Sequence, residues 1–150
     1  MEVKIKKLHP NAVIPFKAHD KDFCYDCVAV SCEEIAPNVY KYGLGFALEI
    51  VRNENGNISS FDNISIDARP RSSVYKTGMV LSNCCGTIDE PYRGEVCAIF
   101  YHLFPDMPRY QVGEKIVQIK IGVAHPIEFV EVDELSKTER NEGGFGSTGR

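Results

Sequence analysis

The sequence predicts an all-β domain of the jelly-roll or β-sandwich kind, with at most one short helix. Segments rich in Val, Ile, Phe and Tyr recur along the chain, and several alternate apolar with polar residues. No window of eleven or more residues sustains a helical period. Prolines at 10, 15, 37, 70, 91, 105, 108 and 126 punctuate the segments at turn-like intervals. A length of 150 residues suits one domain, and a 43% hydrophobic composition suffices to fill a core.

Taken in order, "VKIKKL" (3–8) alternates and reads as the first strand. "FCYDCVAV" (23–30) is aromatic and β-branched. "YKYGLGFALEIV" (40–51) is a long apolar run broken by two glycines. Residues 52–63, "RNENGNISSFDN", are polar with an Asn-Gly and read as a hairpin tip or surface insertion. "SSVYKTG" (72–78) has room for one or two helical turns. "GTIDEPYRGEV" (86–96) reads as a turn leading from "MVLSNCCG" into the strand "EVCAIFYHLF". "KIVQIKIGVAH" (115–125) and "IEFVEV" (127–132) read as the last two strands. From 133 to 150 strand character ends, so the expected organisation is a β domain over 1–132 and a flexible C-terminal arm over 133–150.

Composition narrows the partners. A net charge of −4 and a pI near 5.6 argue against a nucleic-acid polymer but leave room for a small anion held by a few local cations. The apolar runs fall short of the ~18 residues of a membrane span, so no membrane association is expected. Residues 1–8 lack the apolar stretch of a secretory leader, and the chain reads as intracellular and cytoplasmic. On that reading the sequons at Asn57 and Asn63 carry no glycan. The six cysteines include one Cys-x-x-Cys pair, Cys24 and Cys27, set inside a strand rather than at a strand-to-helix turn. With no second pair at zinc spacing, the cysteines read as reduced, buried small hydrophobes.

Three constellations bear chemistry. In "RNEGGFGSTGR" (140–150), glycine amides and the Ser147 and Thr148 hydroxyls suit an anion, and Arg140 adds a planar fork. Phe145, between glycines, suits a lid stacking on a planar ligand; a disordered tail fits the same residues. In "GTIDEPYRGEV", Asp89 beside Tyr92 is a general-base candidate, and a charged turn is the plainer reading. In "RPRSS" (69–73), two arginines and two serines at a helix start make an anion cradle, or a capped helix with solvated arginines.

Taken in order, "YDCVAV", "PRSS", "GTIDEPYRGEV", "GEKIVQ" and "RNEGGFGSTG" resemble the five motifs of the trimeric dUTPase family, across residues 25–149. The resemblance implies a jelly-roll homotrimer whose three sites lie between subunits, each completed by another chain's arm. It implies hydrolysis of dUTP to dUMP and pyrophosphate, with Mg2+ held mainly by the triphosphate. By the same resemblance Asp89 would activate the attacking water and Tyr92 would lie against the deoxyribose. Asn83 and main-chain groups near Val96 and Ala98 would read the uracil edge, with Gly86 and Ile88 in the same substrate-binding set. Arg71, Ser72, Ser73 and Gln118 would hold phosphates. Phe145 would stack on uracil, while Arg140, Gly146, Ser147 and Thr148 would close over the γ-phosphate. Asp26 would support the metal indirectly, through water and the triphosphate.

The match departs from the family pattern at several places. Cys24 stands for a usual Gly and Cys27 for a Leu. Ser73 stands for a Gly, Lys115 for an Arg and Asn141 for a Gly. A dCTP deaminase of the same fold, or a bifunctional enzyme, is the nearest alternative. A non-catalytic nucleotide-sensing regulator is the alternative from another class.

Overall fold

The computed structural model describes residues 1–52 and 62–143, and they fold as the sequence predicts, into β-structure with a single 3-10 turn among the described residues. Among the described residues, ten strands form three antiparallel sheets. β1 (Glu2–Lys7) pairs with β5 (Phe46–Val51), with Val3 opposite Ile50 and Ile5 opposite Leu48. A second sheet takes the order β2 (Tyr25–Val28), β10 (Lys115–Ala124), β6 (Asn63–Pro70), β8 (Gly86–Asp89). The third takes the order β3 (Ser31–Ala36), β4 (Val39–Gly43), β9 (Cys97–His102), β7 (Met79–Leu81).

Alternation explains which face is buried. On β6, Ile64, Ile66 and Ala68 are buried while Ser65 and Asp67 point the other way. On β4 and β9, Tyr40, Tyr42, Ala98 and Phe100 turn inward. Tyr42, Phe100 and Tyr110 meet edge to face, with ring centroids 5.9 and 5.4 Å apart. The Tyr42 hydroxyl donates to Tyr110 O at 2.8 Å, which satisfies a polar group in this dry interior.

The run at 40–51 divides because of its glycines. Gly45 has φ +74°, and a Cβ there would come within 2.7 Å of Val30 Cγ2. Its amide donates to Glu95 Oε1 at 2.8 Å, and its carbonyl accepts from Leu8 at 2.7 Å. The chain therefore bends out of the third sheet, and β5 joins β1 instead.

Four expectations change. Residues 52–63 do not join paired neighbours as a hairpin tip would, because β5 and β6 belong to different sheets; 53–61 lie outside the described residues. "GTID" is a strand rather than a turn, so Asp89 closes β8 and the turn begins at Glu90. "IEFVEV" forms no ladder: Ile127, Phe129 and Val130 are 74%, 90% and 70% exposed. A strand needs a partner edge, and the segment pairs with none among the described residues. Cysteines are free, as expected, but Cys32 and Cys84 are exposed and only Cys27 is buried. Residues 133–143 carry no strand or helix, and 144–150 lie outside the described residues.

Candidate active site

The outward face of the second sheet is polar. Asp26, Gln118 and Arg69 lie opposite one another across β2, β10 and β6. The Asp26 carboxylate takes two bonds from Arg71, Nε to Oδ1 at 2.8 Å and Nη2 to Oδ2 at 3.3 Å. Lys115 Nζ sits 3.0 Å from Oδ2. Burial alone would raise the Asp26 carboxyl, but the Arg71 and Lys115 bonds outweigh it and hold it below the ordinary range. Asp26 is thus a brace for two cations, and Lys115 fills the place of the expected Arg with a single point contact.

Arg71 precedes the 3-10 turn Ser72–Lys76 in an extended conformation, and its Nη1 donates to Ser73 Oγ at 3.3 Å. Ser73 therefore steadies the guanidinium, an interaction a glycine could not supply. Gln118 Nε2 donates to Pro70 O at 2.9 Å. Arg71, exposed Ser72, Gln118 and Asp26 line a cleft of about 290 Å³, whose other wall is Asp22, Phe23 and Cys24. Cys24 takes no positive φ, so the missing glycine is accommodated without strain. Cys27 is sealed beneath, and burial, then the Asp26 charge, push its thiol up to about 12, which leaves it inert.

A second group gathers at β8. Gly86 leaves room for Asn83, whose Nδ2 would come within 3.3 Å of a Cβ there. Asn83 is exposed on the turn before Gly86 and Ile88. Asp89 is exposed at the strand end, opposite Ser65, and its carboxylate makes no hydrogen bond or ion pair with any described residue. Tyr92 folds back over Gly94, and its hydroxyl donates to Glu95 O at 3.1 Å. A Cβ on Gly94 would stand 2.3 Å from that hydroxyl, so the ring position requires the glycine.

Beside this group, strand direction narrows which main-chain groups near Val96 and Ala98 are turned to the sheet edge. The Val96 amide donates to Phe46 O at 2.9 Å, and its carbonyl accepts from Leu44 at 3.0 Å. Main-chain direction alternates along a strand, so Ala98, two residues on, also faces β4, opposite Tyr42. Ile99 faces the other way and accepts from Ser82 N at 2.9 Å. Cys97 shares that side, beyond the point where β7 ends at Leu81, so its main chain is the one turned to the edge beside Asn83. Cys97 lies between the two residues named from the sequence, and strand parity singles it out.

The two groups do not converge within one chain. From Arg69 to Ser65 is about 13 Å along β6, and from β10 to β8 is about 10 Å, which places Gln118 and Asp89 some 16 Å apart at the Cα level. Arg140 is exposed, donates to Gly143 O at 2.8 Å and does not line the cleft. Asn141 has φ 42°, the left-handed conformation its glycine counterpart would favour, and is clasped reciprocally with Thr138. Phe145, Gly146, Ser147 and Thr148 lie outside the described residues.

The family model for dUTPase matches residues 64–149. The deoxyuridine 5'-triphosphate nucleotidohydrolase of Clostridium kluyveri is 36% identical over 99% of both chains. The chain belongs to the dUTPase family. That of Helicobacter pylori is 34% identical over 99% of this chain and 97% of its own. Among solved structures, a variant of the Staphylococcus bacteriophage 80alpha dUTPase with dUpNHpp superposes with a TM-score of 0.76 at 22% identity, covering 99% of each chain. A phage phi11 dUTPase variant, described with a structural Mg(II) ion, gives 0.67 at 18% identity over 91% of this chain and all of its own. The all-β fold is therefore that of the dUTPases.

Proposed function

We propose that the chain hydrolyses dUTP to dUMP and pyrophosphate, at sites assembled between copies of itself in a homotrimer. The relatives share the activity, which favours it over dCTP deamination. The separation carries the assembly. Gln118 and Arg71 suit phosphates, Asp89 suits the attacking water, and no single α-phosphate touches both across some 16 Å. A neighbouring copy closes that gap. The 126–132 segment, in no ladder among the described residues and with Ile127 and Phe129 exposed, suits an arm lying on another subunit.

In the assembled site Asp89 takes a proton from water as its oxygen bonds to the α-phosphorus. The bond from that phosphorus to the bridging oxygen breaks, and pyrophosphate leaves. Arg71 and Ser72 hold the departing charge, and Gln118 steadies the α-phosphate. Tyr92, held by Glu95 O and Gly94, walls off the sugar face where a 2′-hydroxyl would sit. Asn83 and the Cys97 main chain pair with uracil. Among the described residues no group of three His, Cys, Asp or Glu side chains could cage a metal, and both Asp26 oxygens already face cations. The chain thus fits Mg2+ that arrives with the triphosphate, where it neutralises phosphate charge. No described helix is long and apolar enough to cross a membrane.

The test is pyrophosphate release from each dNTP and UTP with magnesium. Release from dUTP alone, lost about 10²–10⁴-fold in Asp89→Asn, is expected. Full activity in Asp89→Asn, or ammonia from dCTP, contradicts the reading.

A further inference from the structure

The Asp89 carboxylate has no side-chain partner among the described residues, so its aim depends on the main chain on either side. On the N-terminal side β8 fixes it, opposite Ser65. On the C-terminal side the ladder has ended; there the Tyr92 amide donates to Asp89 O at 3.0 Å, and a side chain from beyond another sheet also grips the turn. Arg52 directly follows β5. Its guanidinium grips Glu90 as a fork, Nε to Oε1 at 2.6 Å and Nη2 to Oε2 at 2.5 Å. The same Nη2 donates to Asp62 O, just before β6, at 2.8 Å. Arg93 Nη1 closes the turn from within, donating to Glu90 O at 2.5 Å and Tyr92 O at 3.1 Å.

We propose that Arg52 is a positioning residue for the reaction, holding Asp89 on target through Glu90. One guanidinium binds three elements, the ends of β5, β6 and β8, at the point where the reacting carboxylate stands. A planar fork fixes both distance and angle, which a point charge does not. The two side chains are about 35% and 26% exposed, so the grip is worth little to stability. Its value lies in geometry, because small misplacements of a reacting group cost large factors in rate. The Arg52 bond also holds the Glu90 carboxyl below its ordinary range, so the fork stays ionised on both sides at neutral pH.

This inference rests on Asp89 being the activating carboxylate, and the experiment separates the two. Steady-state dUTP hydrolysis is measured for the full chain and for Asp89→Asn, Arg52→Ala, Arg52→Lys, Glu90→Gln and the Arg52→Ala/Glu90→Gln pair, with thermal unfolding of each. We expect Arg52→Ala and Glu90→Gln each to lower kcat about tenfold or more with KM changed less than about twofold. The pair falls no further than Arg52→Ala alone, because that change already removes the Glu90 fork. Arg52→Lys, which keeps charge and bulk but not the fork, also loses kcat; it carries the test if Arg52→Ala does not fold. Wild-type kcat in folded Arg52→Ala or Glu90→Gln overturns the clamp. So do losses that multiply in the pair, or a change confined to KM. An inactive Asp89→Asn beside a fully active Arg52→Ala overturns the clamp alone. A fully active Asp89→Asn overturns both the assignment of Asp89 and the clamp built on it.

Discussion

Replacing Asp26 by Asn tests the brace beneath the phosphate cleft. The carboxylate side chain is 13% exposed and accepts bonds at 2.8 and 3.3 Å from Arg71 and 3.0 Å from Lys115. Bonds to a charged group contribute about 1.5–3 kcal/mol each when dry. Here Arg71 and Lys115 are 25% and 37% exposed, so water replaces part of what is lost. A net loss of about 2 kcal/mol follows, which for a chain of this size lowers Tm by about 4–8 °C. The pH dependence has a definite sign. The folded Asp26 carboxyl lies below its unfolded value of about 3.9, so its contribution is full above that value and fades as pH falls through the lower folded one. The Asn variant cannot titrate at this position. Thermal unfolding at fixed protein concentration therefore shows the widest gap between the two proteins near neutrality and a closing gap below about pH 4. A gap of zero at pH 7, or one unchanged down to pH 3, refutes the reasoning.

Two more predictions follow from the same geometry. Gly94→Ala drives a Cβ into the Tyr92 ring, breaks its bond to Glu95 O and displaces the wall against the sugar. The ratio of kcat/KM for dUTP over UTP falls at least about tenfold, while Tm moves by under about 4 °C. On the proposed role of the C-terminal arm, deleting 140–150 lowers dUTP turnover about 10²-fold or more while the protein sediments as before.

The fold was legible where burial is one-sided. Alternation at Val3 and Ile5 announces β1, and the apolar run at 115–124 announces β10. β3 left no trace because all six of its side chains, Ser31 to Ala36, are exposed, so no periodic face selects them. The run "IEFVEV" misleads in the opposite way: its pattern is that of a strand, but it joins no ladder among the described residues. The proposed site residues Asp89, Tyr92, Arg71 and Gln118 stand in motifs that are local in the sequence. The Asp26 brace and the Arg52 fork join residues 45 and 38 positions apart, so only the fold reveals them. Which main-chain group near Val96 and Ala98 turns to the edge was not legible, because a backbone amide is the same in every residue and only strand parity separates them.

Mixing two inactive variants tests the shared site most directly. Asp89→Asn chains keep the phosphate cleft, and Gln118→Ala chains keep the carboxylate. Each alone is nearly inactive. Unfolded together in equal amounts and refolded, random trimers place an intact carboxylate opposite an intact cleft at about one interface in four, and about a quarter of wild-type turnover returns. A mixture no more active than its two components contradicts the account, because the carboxylate and the phosphate cleft would then have to belong to a single chain.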